Sequence, residues 1–101
     1  MHLAKEPFDK IKNGTKTLEV RLFDEKRQKI TLGDTITFSY NNEEVTVTVV
    51  RLSRFATFHD LFTSLGKLTA GLEMDMRQYY SEEDEKKYGV LGIQFQIDSV
   101  K

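Results

Sequence analysis

At 101 residues and 39% hydrophobic content, the chain has the size of one domain, residues 1–101, with room for one core. Fifteen Lys and Arg against sixteen Asp and Glu leave a formal net charge of -1, which excludes a global attraction to nucleic acid or anionic membranes, so any affinity for phosphate must be local. The absence of cysteine rules out disulfides and thiolate chemistry, and no signal-peptide-like run or stretch of roughly 20 apolar residues is present, so a soluble cytoplasmic protein is expected.

In chain order, Glu6 to Gly14 predicts a two-turn helix: Pro7 suits its first turn, Phe8 and Ile11 share a face, and Gly14 can close it in the left-handed conformation. Lys10 and Lys12 fall on its exposed face, with Lys12 favoured by the negative end of the helix dipole. Lys16 to Leu22 reads as the first strand. Strand alternation places Lys16, Leu18 and Val20 on one face and Thr17, Glu19 and Arg21 on the other. Phe23 to Lys29 is a charged connector leading to Ile30-Thr31-Leu32 and the turn Gly33-Asp34.

Thr35 to Tyr40, a tight turn at Asn41-Asn42 and Glu43 to Leu52 make an antiparallel hairpin whose returning arm ends near Arg51 and Arg54. Thr57 caps a helix that Gly66 is expected to stop, and Leu61, Phe62 and Leu65 form its apolar stripe. Residues 67–80 lack a firm period, with at most a short helix around Glu73 to Tyr79. Ser81 then caps a helix whose early acids suit the positive end of its dipole. Gly89 to Val100 alternates Leu91, Ile93, Phe95 and Ile97 on one face of a closing strand. The expected architecture is α+β: a small, mostly antiparallel barrel of about five strands with short capping helices. Its inward set comprises Leu18, Val20, Ile36, Phe38, Val47, Val49, Leu91, Ile93 and Phe95.

Residues 1–30 hold eight Lys or Arg against five acids, whereas residues 61–101 hold five against seven. The positive excess therefore surrounds Gly14-Thr15-Lys16-Thr17-Leu18-Glu19-Val20-Arg21. Read with the preceding helix, the later Gly33-Asp34 and the terminal Tyr88-Gly89-Val90-Leu91-Gly92-Ile93, this stretch resembles the ASCH family over essentially the whole chain. The resemblance implies a PUA-like barrel and an RNA-related cleft beside the first helix and strand. One bacterial branch removes the acyl group of N4-acetylcytidine with a lysine, a threonine three residues later and a glutamate from a later connection; another branch is linked to RNA cleavage. The lysine corresponds to Lys16, but Glu19 stands at the threonine position, and Glu73 is the candidate for the glutamate.

A lysine beside an acid and an arginine can bind phosphate through its positive groups while the carboxylate orients one of them or takes a proton. Two function classes follow. The first is an RNA- or nucleotide-binding module using Lys12, Lys16, Glu19, Arg21, Arg54 and Tyr80, with one ring of Tyr79-Tyr80 available to stack on a base. The second is a small hydrolase in which Lys16 and Glu19 act on a modified nucleoside or on RNA. His2 and His59 lack ligand partners at metal-binding spacing, and no phosphate-binding glycine loop or nucleophile elbow is present. No metal, cofactor, membrane or obligate protein partner is expected.

Overall fold

The computed structural model describes residues 1–100. Its helices are α1 (Lys5–Lys12), α2 (Phe58–Thr69) and α3 (Glu82–Tyr88), and its strands are β1 (Leu18–Leu22), β2 (Thr35–Tyr40), β3 (Glu43–Phe55) and β4 (Val90–Val100). Short 3₁₀ turns occupy Arg27–Lys29 and Glu73–Gln78. The strands form one antiparallel sheet in the order β1-β4-β3-β2, curled into a half-barrel. There are thus four strands rather than about five, because Ile30-Thr31-Leu32 joins no ladder and instead leads into the turn where Gly33 donates to the Val49 carbonyl (2.9 Å).

The predicted hairpin forms with Tyr40 opposite Glu43 and Asn41 at φ 53°. Two bulges bend the long β3–β4 ladder: Asp98 is the extra residue on β4 between the Thr46 and Val47 pairs, and Val50 is the extra residue on β3 between the Val49 and Arg51 pairs. Thr57 caps α2 by accepting from the Asp60 N–H (3.1 Å), and Ser81 caps α3 by accepting from the Asp84 N–H (3.1 Å). Gly66 does not stop α2. The helix runs one turn further, to Thr69, because Leu68 extends its apolar stripe, and Ala70 in the left-handed region (φ 53°) ends it.

Residues opposite each other in an antiparallel pair share a face. Glu19 lies opposite Ile93 and Arg21 opposite Leu91, so both project to the inner face with Val45, Val47, Val49 and Phe95. Phe8, Ile11 and Phe38 fill one end of this inner core, and Phe23, Ile30 and Leu52 cover the other. Leu18 and Val20 are buried, but they do not share that face. Together with Leu22 and Val90 they pack on the outer side against Phe58 and Leu61 of α2. The sequence Leu-Glu-Val-Arg-Leu thus gives its apolar stripe to a helix and its charged stripe to the barrel interior.

Candidate functional site

A cleft of about 460 Å³ opens between α1 and β1. Glu6 and Lys10 of α1 form one side, Glu19 to Arg21 the floor, and the end of α2 with Leu72, Met76 and Tyr79 the opposite wall. After α1, Gly14 turns the chain at φ 84°, the Lys16 N–H donates to the Lys10 carbonyl (2.9 Å) and the Thr17 N–H to the Leu68 carbonyl (3.0 Å). Lys16 therefore lies before the strand begins. Alternation does not apply to it, and it meets Glu19 rather than pointing away from it.

Lys16 and Glu19 are only 8% and 7% exposed. The Lys16 Nζ donates to the Thr69 carbonyl (2.9 Å) and stands 3.6 Å from Glu19 Oε1. That oxygen also accepts from the Val20 N–H (3.1 Å), while Oε2 accepts from Arg21 Nη2 (3.2 Å). Glu19 is thus the counter-charge to one buried and one partly buried cation. Burial pushes the Lys16 ammonium below its usual value, the Glu19 carboxylate opposes that shift, and nearby Arg21 and Lys10 add to it. For Arg21 burial also works against the charge, but Glu19 and Tyr80 outweigh it and hold the guanidinium above its usual range. The buried Arg21 Nε has no hydrogen-bond partner among the described residues.

Of the residues singled out in the sequence, Lys16, Glu19, Arg21 and Tyr80 line the cleft. Lys12 does not. It sits on the surface at the end of α1 and pairs with Glu43 at 2.5 Å, because its helix position faces the start of β3. Arg54 is also outside the cleft, its guanidinium 4.0 Å from the centroid of the Phe23 ring that covers that end of the sheet. The Glu73 carboxylate meets His59 Nδ1 (3.0 Å) and does not line the cleft. Tyr80 stacks on Phe58 (5.6 Å, 21°) as part of the packing, whereas Tyr79, 64% exposed at the rim, is the free aromatic surface.

Sequence reasoning missed Lys10 and the α2 terminus. Lys10 Nζ donates to the Ala70 carbonyl (2.9 Å) and pairs with Glu6 (3.1 Å). Nothing local marks it, since its role depends on where the end of α2 lands some 60 residues later. Lys10, Lys16 and Arg21 are balanced by Glu6, Glu19 and Asp75 around the cleft, so an anion would be held there by oriented N–H groups rather than by net potential. Among the described residues no group of three or more His, Cys, Asp or Glu is placed to hold a metal ion.

The profile of the ASCH domain matches residues 1–98. The chain belongs to the ASCH domain family. In structure, the domain is similar to the hypothetical protein PH0355, at 33% identity and TM-score 0.86 over 97% of this chain and 96% of that one. It is also similar to PF0455 from Pyrococcus furiosus, at 33% identity and TM-score 0.76 over 96% and 94%. A tyrosine-to-phenylalanine mutant of ZmASCH from Zymomonas mobilis shares the fold at 15% identity, with TM-score 0.75 over 100% of this chain and 72% of that one. No curated protein matches the chain. The ASCH domain's curled sheet is the PUA-like half-barrel, and no helix among the described residues is long and apolar enough to cross a membrane.

Proposed function

We propose that this ASCH domain binds RNA or a nucleotide in the cleft between α1 and β1. The observation that carries the reading is the buried Lys16–Glu19–Arg21 set opening onto a cavity whose rim bears Lys10 and the exposed Tyr79 ring. Glu19 holds Arg21 and counters the charge of Lys16, Lys10 offers a partly exposed ammonium to a phosphate, and Tyr79 offers a face on which a base can stack. Titrating labelled oligouridylate by fluorescence anisotropy tests this. Affinity should fall as salt rises, and Lys10→Ala and Tyr79→Ala should each weaken it while both variants remain folded by circular dichroism. Equal affinities for the wild type and both variants would refute the reading.

A second reading, a small hydrolase acting on a modified nucleoside or on RNA, draws on one feature. The desolvated Lys16 amine lies 3.6 Å from a carboxylate that could exchange a proton with it. Against it stands the occupation of Lys16 by the Thr69 carbonyl and by Glu19 itself. Incubation with N4-acetylcytidine, following cytidine release, and with labelled RNA, following its cleavage, decides between the two. Little or no turnover is expected, and robust turnover lost in Lys16→Ala would replace the binding reading.

A further inference from the structure

We propose that residues 71–80 form a lid on the cleft whose hinge is clamped by Lys10 and Lys16, so that ligand occupancy and lid closure are coupled. The proposal rests on the binding reading for its ligand but not for its clamp. The hinge is the end of α2, where the helix leaves its last carbonyls without intrahelical partners. Two of these, Thr69 O and Ala70 O, are taken by Lys16 Nζ and Lys10 Nζ, each at 2.9 Å, and Ala70 makes the turn into the lid in the left-handed region. Ammonium groups at this end are also favoured by the helix dipole.

Between the hinge and Met76 the lid has little of its own to hold it. Leu72, Met74 and Tyr79 are 61%, 73% and 64% exposed, and the 3₁₀ turn Glu73–Gln78 buries no residue. The far end of the lid is anchored by Tyr80 stacked on Phe58, by Met76 against the same cluster and by the Arg77–Glu85 pair at 2.5 Å, while its exposed stretch has the His59–Glu73 contact at 3.0 Å. A stretch as exposed as residues 71–75 belongs to the part of a protein that opens first. The lysine clamp therefore holds the hinge end of this wall, opposite the end that Met76 and Tyr80 anchor.

The same two ammonium groups face the ligand cavity. Lys10 donates to Ala70 O and forms only an ion pair with Glu6, whose side chain is 80% exposed, so an entering phosphate displaces the weakly held Glu6 and leaves the Ala70 bond intact. Next to Lys16, added negative charge favours the ammonium form, the stronger donor to Thr69 O. An anionic ligand thus tightens the clamp. By linkage, loosening the clamp must weaken ligand affinity by the same factor.

Hydrogen exchange of the lid amides, with uridine monophosphate as the probe, separates the two parts. In ligand-free protein, Lys10→Met should speed exchange across 71–80 by at least about fivefold while the β3 and β4 amides keep their wild-type rates. In the wild type, saturating uridine monophosphate should slow exchange in the same segment by a similar factor, and this protection should be lost in Lys10→Met. Unchanged ligand-free exchange in Lys10→Met, or a uniform rise across the whole fold, overturns the clamp and leaves the binding reading standing. Calorimetry that detects no uridine monophosphate binding overturns the coupling and leaves the binding reading to the oligouridylate titration, while the ligand-free comparison still decides the clamp.

Discussion

Replacing Glu19 with Gln removes one negative charge and almost no volume, at a carboxylate that faces the buried Lys16 and the partly buried Arg21. At an effective dielectric of about 20, charges 3.6 Å apart attract by roughly 4–5 kcal/mol, and the Arg21 contact at 3.2 Å is of the same order. Part of that attraction only offsets desolvation, so the measurable quantity is the cost of breaking a buried pair, about 3–5 kcal/mol. The carboxamide oxygen of Gln can still accept from the Val20 N–H, so we expect the lower end, about 3 kcal/mol. Against a total stability of about 5–15 kcal/mol this is a large fraction, equivalent to a fall in the unfolding midpoint of roughly 10–20 °C for a domain of this size. Urea titration followed by far-ultraviolet circular dichroism measures it. Adding Lys16→Met to Glu19→Gln should recover part of the loss, since one of the two uncompensated cations is then gone. A single Glu19→Gln variant within about 0.5 kcal/mol of wild type would show that the carboxylate does not hold this site together.

The lowered Lys16 value has a definite sign in its pH dependence. Between that value and the unfolded value of 10.5 the unfolded chain binds more protons than the folded one, so stability contributed through Lys16 rises with pH across the window. The stability of the wild type minus that of Lys16→Met, measured from pH 8 upward, should therefore increase towards the unfolded value and then level off; a flat or falling difference would count against the desolvation of this amine. Gly89→Ala should destabilise by about 1–3 kcal/mol, because φ is 74° there and the added methyl would sit 3.2 Å from the Phe55 carbonyl; a urea midpoint equal to wild type would contradict this. Lys12→Ala should change stability by less than about 1 kcal/mol and leave oligouridylate binding as it was, since its ion pair with Glu43 is solvent-exposed and lies outside the cleft.

What could be read from residues alone was whatever depends on near neighbours. The caps at Thr57 and Ser81, the Asn41-Asn42 turn and the shared face of Glu19 and Arg21 all follow from local chemistry, and each is present. The errors arise where distant segments meet. Gly66 is compatible with ending a helix, but the apolar Leu68 that packs with Phe58 and Leu61 carries α2 onward, so packing overrides the local signal. Leu18 and Val20 have the right period, but period alone does not say which of two covered faces receives the apolar stripe. Glu85 shows the same limit in reverse. It read as one of several acids suited to the positive end of its helix dipole, yet it is buried at 6% exposure and accepts from the Phe58 N–H (2.6 Å) and from Arg77 (2.5 Å), joining α3 to the start of α2.

The paired bulges in the β3–β4 ladder bear on which insertions and deletions this fold can absorb. Losing one residue from a regular strand sends every later side chain to the opposite face, which here would turn core valines outward and charges inward. Val50 and Asp98 differ from their neighbours because each is already the surplus residue of its strand. Deleting either would join Val49 to Arg51, or Ile97 to Ser99, in continuous register with no side chain beyond it changing sides. What would be lost is curvature, since an extra residue is what bends the strand. Length variation at these two positions would therefore tune how far the half-barrel closes, while leaving the identity of its interior untouched.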